Sequence, residues 1–244
     1  MNTHHFSWRV FAVLLALGGL ALTLSFPLPP PLMPLVAGVA VLAAAIAVGL
    51  SLGRRFSLGA PFLERWLGGG AYRRSAPWSL SIGAGVGLVL GIAILLWLRS
   101  GIVPGASVIH SRLAAEAREP LWSRWIVAFD AAVLEELGFR FFLVSLLVWV
   151  LSWKRLPASR WSVSTRVWIA ITLVVLGFAV AHLPKWFALA APSIELVASV
   201  VVLNGIGGLA FGFLFWRVGI EAAILSHFAA DAVLHVLGPW LFLR

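Results

Sequence analysis

Residues 121–153 read LWSRWIVAFDAAVLEELGFRFFLVSLLVWVLSW. As a helix the run can cross the roughly 30 Å hydrocarbon core of a bilayer, which takes about 20 residues. Its interior nevertheless carries Asp130, Glu135, Glu136 and Arg140. Ionisable side chains inside a membrane span are costly, and each is a functional-site candidate by default. This stretch therefore predicts both a membrane protein and a polar site within it.

The composition of the whole chain excludes a soluble globule. Of its 244 residues 61% are hydrophobic and 11% charged, with a mean hydropathy of +1.02, whereas soluble domains carry about 25% charged residues. A chain of 26.3 kDa is too small to enclose that much apolar surface. The lipid bilayer is therefore the first partner that the sequence predicts.

The charge pattern argues against a nucleic-acid partner. The net charge of +9 comes from Lys and Arg in short clusters between apolar runs, a pattern that orients membrane spans. If the N-terminus is cytoplasmic, eleven of these basic residues lie on the cytoplasmic side of the membrane and six on the outer side. This excess on the cytoplasmic side favours that orientation. The chain has no Cys, so disulfides, thiolate metal sites and Cys nucleophiles are excluded.

Other apolar runs also have the length of a membrane span. They are Trp8–Phe26, Leu35–Leu52, Trp78–Leu98, Arg166–Leu183, Leu196–Trp216 and Val218–Leu237. The segment Pro104–Glu119 is too polar to span and is expected to be an interfacial helix or a loop. We predict an all-α polytopic transmembrane bundle of seven or eight spans, forming one integral domain over residues 1–244.

Small residues four apart mark two helix faces where another backbone can approach closely. The two stripes are Gly83, Gly87 and Gly91, and Asn204, Gly208 and Gly212. Gly49 to Gly53 also fits the G-x-S-x-G pattern of hydrolases, but it lies in a membrane helix with no strand before it, so we interpret it as chance.

Helix geometry separates the two adjacent acids. Glu136 and Arg140 are i and i+4 with the acid first, the better orientation for an ion pair, so Glu136 is expected to be neutralised. Glu135 is rotated by about 100° from Glu136. We therefore expect Glu135 to be the free carboxylate.

Histidines supply the other candidate groups. His182 lies in the fifth span, four residues after Phe178 and two before Pro184, where the proline is expected to end or kink the helix and leave room for a ligand. The seventh span carries a stripe of titratable residues at helical spacing: His227, Asp231 and His235. Because adjacent spans alternate in direction, we expect His182, His227 and Asp231 to lie at a similar depth to Glu135.

The segments Glu135–Arg140 (EELGFR), Phe178–His182 (FAVAH) and His227–Asp231 (HFAAD) resemble the EExxxR, FxxxH and HxxxN/D motifs of the CPBP family. That family comprises CAAX prenyl endopeptidases and bacteriocin-processing or immunity-type (Abi-like) intramembrane proteases. The motifs occur in the family's order, and the resemblance covers a protease-like core of about residues 121–237. Phe141 departs from the Gly common in the family and is expected to narrow or reshape the groove, and Asp231 replaces the commoner Asn.

The resemblance implies an intramembrane endopeptidase that hydrolyses a peptide bond of a membrane-associated or lipidated peptide or protein. A carboxylate and an imidazole at one water share general-base work, and a second imidazole donates to the oxyanion. We assign Glu135 and His182 to the water, and His227, oriented by Asp231, to the oxyanion. The supporting residues are Glu136, Arg140 and Phe178.

Alternatives remain at this stage. No cofactor is favoured, but Glu135, His182 and His227 also form a zinc ligand set. A proton-coupled transporter also places acids and histidines in spans, although no inverted repeat is present. A non-catalytic scaffold or immunity-type member is a third alternative. We expect a bacterial or archaeal cell membrane. Because prenylated CAAX substrates are essentially eukaryotic, the resemblance implies a peptide or membrane-protein substrate in such a membrane.

Overall fold

The computed structural model describes residues 7–68, 76–154 and 156–242, and the regular structure in these ranges is helical throughout. Four basic residues counted for the membrane orientation lie outside the described residues: Arg73, Arg74, Arg155 and Arg244. The prediction of an all-α polytopic bundle is confirmed.

The first half of the chain forms α1 (Trp8–Leu24), α2 (Leu32–Gly53), α3 (Pro61–Leu67), α4 (Ala76–Arg99) and α5 (Ala106–Glu116). The second half begins with α6 (Leu121–Glu135), a first π segment (Glu136–Val144) and α7 (Ser145–Leu151), which together make one continuous helix. It continues with α8 (Val163–Phe187), α9 (Ile194–Arg217), α10 (Ile220–Asp231), a second π segment (Ala232–Leu237) and α11 (Gly238–Leu241).

Every predicted span falls on a helix, and the polar segment before α6 forms the short helix α5. Within the described ranges, five helices are long and apolar enough to cross a membrane: Leu32–Phe56, Trp78–Arg99, Val163–Phe187, Ile194–Arg217 and Ile220–Leu241. α1 is a shorter apolar helix. In the helix over residues 121–151, the charged groups of the predicted site interrupt the apolar sequence.

Local sequence sets several helix boundaries. Ser162 Oγ accepts from Thr165 N at 3.0 Å at the start of α8, and Ser193 Oγ accepts from Leu196 N at 3.2 Å at the start of α9, as N-caps do. Gly219 joins α9 to α10 with φ of +124°, a conformation open to glycine. This sharp connection brings α10 back through the centre of the bundle, where it packs against α4, α6 and α9.

The first glycine stripe brings α4 into backbone contact with α10. A Cβ on Gly83 would lie 2.5 Å from the carbonyl oxygen of Ala222, and one on Gly91 would lie 2.9 Å from that of Ala230. A Cβ on Gly87, between them, would overlap the carbonyl group of Ser226. The predicted close approach is confirmed, and it fixes the helix that carries the third motif.

The second stripe packs α9 against α8. A Cβ on Gly208 would lie 2.8 Å from Val175 Cγ2, and one on Gly212 would lie 2.7 Å from Ile171 Cγ2. Asn204 differs, because its amide donates to the carbonyl oxygen one turn earlier at 2.8 Å and the residue lines the central cavity.

The G-x-S-x-G segment serves helix packing. A Cβ on Gly49 would lie 2.7 Å from the carbonyl oxygen of Phe141, and one on Gly53 would lie 2.9 Å from Ser145 Oγ. Phe141 is 0% exposed, and its ring lies 6.1 Å from that of Phe215. The expectation that Phe141 narrows the groove is wrong, because its side chain is packed between α2 and α9.

Candidate active site

A cavity of about 190 Å³ lies inside the bundle, lined by α4, α5, α6, α8, α9, α10 and the second π segment. Glu135, Phe178, His182, His227 and Asp231 all line it. The structure thus brings residues of the three motifs to one cavity. Concave, mostly apolar cavities with a few convergent polar groups are typical of binding and catalytic sites.

Glu135, the last residue of α6, lies between two imidazoles. Its Oε1 is 3.7 Å from His182 Nε2, and its Oε2 is 3.7 Å from His227 Nε2. The side chains of Glu135 and His182 are 26% and 25% exposed. These separations exceed the usual hydrogen-bond range of about 2.7–3.2 Å, so each carboxylate oxygen faces an imidazole nitrogen across a gap that a small polar group can bridge.

The backbone fixes the orientation of His182. Its Nδ1 lies 2.8 Å from the carbonyl oxygen of Phe178, and because a carbonyl only accepts, Nδ1 must donate. In the neutral ring Nε2 therefore presents a lone pair towards Glu135. The ring of Phe178 lies 4.4 Å from the imidazole and holds it on its other side.

His227 is held from behind by the buried face of the helix 121–151. Its Nδ1 lies 2.9 Å from Glu136 Oε1, and its ring stacks on Phe211 at 4.6 Å with an interplanar angle of 18°. Nε2 faces the cavity, 3.5 Å from Asp231 Oδ2. Asp231, i+4 on the same helix, thus contacts the cavity-facing nitrogen, whereas Glu136 binds the other one, and the orienting role of Asp231 stays a prediction.

Glu136 and Arg140 form the expected i, i+4 ion pair. Glu136 Oε1 lies 3.0 Å from Arg140 Nη1, and the two side chains are 0% and 1% exposed. The guanidinium lies over the rings of Phe178 and Phe211, 4.8 and 5.7 Å from their centroids, within cation–π range. The close approach of Gly208, whose added Cβ would lie 3.2 Å from Arg140 Nη2, leaves room for this group. The pair thus supports the rings that hold both histidines.

His235, the last residue of the predicted polar stripe, bonds to α5. Its Nδ1 lies 2.7 Å from Glu116 Oε2, and Glu116 Oε1 lies 2.9 Å from Arg112 Nε. Burial alone would raise the pKa of Glu116, but the hydrogen bond from His235 and the charges of His235 and Arg112 outweigh it and lower that pKa. The sequence signals Arg112 and Glu116 only as an i, i+4 pair on a surface helix, and their contact with His235 was not predicted.

Lys185 was also missed. It lines the cavity one helical turn after His182, where i and i+3 share a face. The sequence signal for Lys185 is its position three residues after His182, the histidine of the second motif.

The described residues show no preassembled metal site, and zinc at Glu135, His182 and His227 stays an alternative. Across the described ranges, no group of three or more His, Asp or Glu is arranged to hold a metal ion. Zinc requires ligand atoms that converge on one point at about 2.0–2.2 Å, whereas the two oxygens of Glu135 face different histidines.

Residues 117–233 match the family described as type II CAAX prenyl endopeptidase Rce1-like. This segment contains all three motifs, and the match confirms their resemblance to the CPBP family. Neither curated proteins nor solved structures returned a match.

Proposed function

We propose that this integral membrane protein of CPBP-family type is an intramembrane endopeptidase in which Glu135 and His182 activate a water molecule. The matching family is one of proteases, which supports peptidase activity in general. The finer proposal rests on one observation: the Glu135 carboxylate lies between His182 and His227 in a cavity inside the bundle.

The chemistry of the facing atoms suits a water molecule. Glu135 Oε1 and His182 Nε2 are both acceptors and lie 3.7 Å apart, so a water that donates one hydrogen to each is held between them. Glu135 takes a proton as the water oxygen attacks the peptide carbonyl carbon, and the carbonyl electron pair moves to its oxygen. The same proton then passes to the leaving amine as the C–N bond breaks.

The oxyanion faces His227 in this proposal. With Nδ1–H donated to Glu136, an imidazolium at His227 directs its Nε2–H into the cavity, where it can donate to the developing oxyanion. Asp231, at 3.5 Å from the same nitrogen, accepts that hydrogen until substrate binds. An ionised Asp has no hydrogen to give to the oxyanion, so Asp231 acts through His227.

The cavity walls suggest the class of substrate. Leu90, Ile94, Leu98 and Leu203 line it together with the polar groups, so apolar side chains or a lipid chain beside the scissile bond fit best. We propose a membrane-associated or lipidated peptide or protein of a bacterial or archaeal cell membrane. We propose that the N-terminus is cytoplasmic. The test fuses to the N-terminus a reporter enzyme that works only outside the cytoplasm, and activity of this reporter would contradict the proposed orientation.

Peptide cleavage tests the proposal. Purified protein in detergent is incubated with a library of apolar peptides in water enriched in ¹⁸O, and products are identified by mass. We expect one ¹⁸O in each new carboxyl group, full activity after exhaustive chelation, and none in Glu135→Gln. Glu119→Gln, which changes an exposed acid on the loop before α6, is the matched control and should cleave normally.

Two results would overturn the proposal. One is the absence of cleavage of any peptide by folded protein, which would favour the scaffold or transporter alternative. The other is activity lost on chelation and restored by zinc, which would move Glu135, His182 and His227 to the role of metal ligands.

A further inference from the structure

The ionisable residues that line the cavity are committed to partners in all but one case. Glu135 and Asp231 face histidines, Arg112 binds Glu116 and lies 4.8 Å over the ring of Trp186, and His235 binds Glu116. Among the described residues, none forms a hydrogen bond or ion pair with Lys185. The cavity thus contains one ammonium group that no described residue holds in a hydrogen bond or ion pair, and Glu135, Glu116 and Asp130 act on its charge only at longer range.

The position of Lys185 suits substrate recognition. Its side chain lines the cavity while the residue is exposed, so it stands where the cavity opens. Lysines near the ends of membrane helices also snorkel to the surface, and Lys185 lies two residues before the end of α8. Lys185 lines the cavity beside the motif residues, whereas a lysine that only faces lipid headgroups would not line it.

The reach of Lys185 limits where its partner can lie on a bound peptide. His182 and Lys185 are i and i+3, with Cβ atoms about 5–6 Å apart, and the lysine stem extends the charge further. An extended peptide advances by about 3.3 Å per residue. A carboxylate within about three residues of the bond at Glu135 can therefore meet the ammonium group.

We propose that Lys185 is a specificity-determining residue that binds a carboxylate of the peptide substrate, either its C-terminal carboxylate or an Asp or Glu side chain near the scissile bond. This inference rests on the proposed function, because it takes a peptide to occupy the cavity. A carboxylate is the group that neutralises Lys185 in a mostly apolar cavity, and it fixes the register of the peptide relative to Glu135.

Binding is measured separately from cleavage, in the Glu135→Gln background. One apolar fluorescent hexapeptide with a central Glu is prepared in three forms: unmodified, with a C-terminal amide, and with Gln for the Glu. Lys185→Met should weaken binding of the unmodified peptide at least about tenfold, the lower end expected for a charge-assisted bond. The peptide form that lacks the recognised carboxylate should bind equally to the protein with Lys185 and to the Lys185→Met variant. That form shows which of the two carboxylates Lys185 binds.

The chain offers a close control, because Lys154 and Lys185 are its only two lysines. Lys154 follows α7, is exposed and does not line the cavity, so Lys154→Met should leave all affinities unchanged. Lys185→Arg should restore most of the binding. In protein with native cleavage, Lys185→Met should raise KM for the unmodified peptide more than it lowers kcat.

Amine acylation gives a second readout that needs no lysine variant. The unmodified peptide should protect Lys185, and leave Lys154 as reactive as before, in a mass-spectrometric comparison. A Lys185→Met variant that weakens all three peptides equally, or none of them, would overturn the inference, as would equal acylation of Lys185 with and without peptide. Loss of cleavage alone would count against the proposed function and leave the carboxylate preference readable from binding.

Discussion

The cavity face and the buried face of the helix 121–151 carry the same residue type at adjacent positions in opposite environments. Glu135 is 26% exposed, and its nearest ionisable partners are two imidazoles at 3.7 Å. Glu136 is 0% exposed and contacts His227 at 2.9 Å and Arg140 at 3.0 Å. Glu136 is buried with two short contacts, both at Oε1, whereas Glu135 faces a cavity.

This difference separates Glu136, which supports the structure, from Glu135, which takes part in the proposed reaction. Removing one partner of a buried ion pair leaves an uncompensated charge and costs stability, whereas a partly exposed carboxylate can change protonation state during a reaction. The first π segment begins at Glu136, and such segments occur frequently at functional sites. Substitutions on the cavity face should therefore lower activity, and those on the buried face should lower the free energy of unfolding.

The largest effect on activity beyond the two acids is expected at His182. His182→Ala removes the imidazole that shares the water with Glu135 and should lower kcat/KM by about 10²–10⁴-fold. Its side chain is 25% exposed, so the thermal midpoint should change little. His110→Ala, a matched change on α5 that removes a hydrogen bond to Leu98, should cleave normally, and a loss below tenfold in His182→Ala would contradict the cavity-face assignment.

The buried face is tested independently at Phe141. Phe141→Ala empties a fully buried site between Gly49 and Phe215 and should cost about 3–5 kcal/mol of unfolding free energy. Activity per folded molecule should remain close to that of the parent, measured by kcat normalised to folded protein. Phe213→Ala, at a site 44% exposed, should cost far less, and a Phe141 variant that is stable but altered in substrate choice would place this ring in the groove after all.

Asp231 should show a smaller effect that depends on the replacement. Asp231→Asn keeps an acceptor for His227 Nε2 and should retain kcat/KM within a few-fold, whereas Asp231→Ala should lose about tenfold or more, as for one bond to a charged group. If the Asn variant is folded yet inactive at every pH tested, the negative charge itself is required. That result would make Asp231 a second base and would break its assignment as a partner of His227.

The smallest expected effect is a pH dependence of the free energy of unfolding, and it arises from Glu116 on α5. Because the pKa of Glu116 is lowered in the fold, its ionised form stabilises the protein above the ordinary pKa near 4.5, and this stability is lost as pH falls through the lowered pKa. The unfolding free energy of the parent should exceed that of Glu116→Gln by about 1 kcal/mol at pH 6, and the gap should close below about pH 4. Glu119→Gln should show no such trend, and a gap that widens in acid would contradict the lowered pKa.

Much of this arrangement follows from the sequence, because membrane length and helical period are strong constraints. The apolar runs predict the long helices, and the i, i+4 spacing predicts the pairing of Glu136 with Arg140. The contact between Glu136 and His227 spans 91 residues and depends on how α10 packs, which the spacing along one helix does not encode.

Other features escaped prediction for similar reasons. The direction of Phe141 depends on the π segment, whose wider turns shift the faces that a 3.6-residue period assigns. The bond between Glu116 and His235 joins an interfacial helix to a membrane helix, and charge patterns predict only the pair on α5 itself.

The most direct test of this account compares Glu135→Gln with Glu136→Gln in the same detergent, measuring both peptide cleavage and the free energy of unfolding. We expect Glu135→Gln to abolish cleavage with stability unchanged, because the amide keeps the shape and removes the base. Glu136→Gln should lose roughly 3–5 kcal/mol of stability, because Arg140 is left buried without its charged partner. Equal stability losses in the two variants, or cleavage by Glu135→Gln within tenfold of the parent, would contradict the separation of catalysis from support.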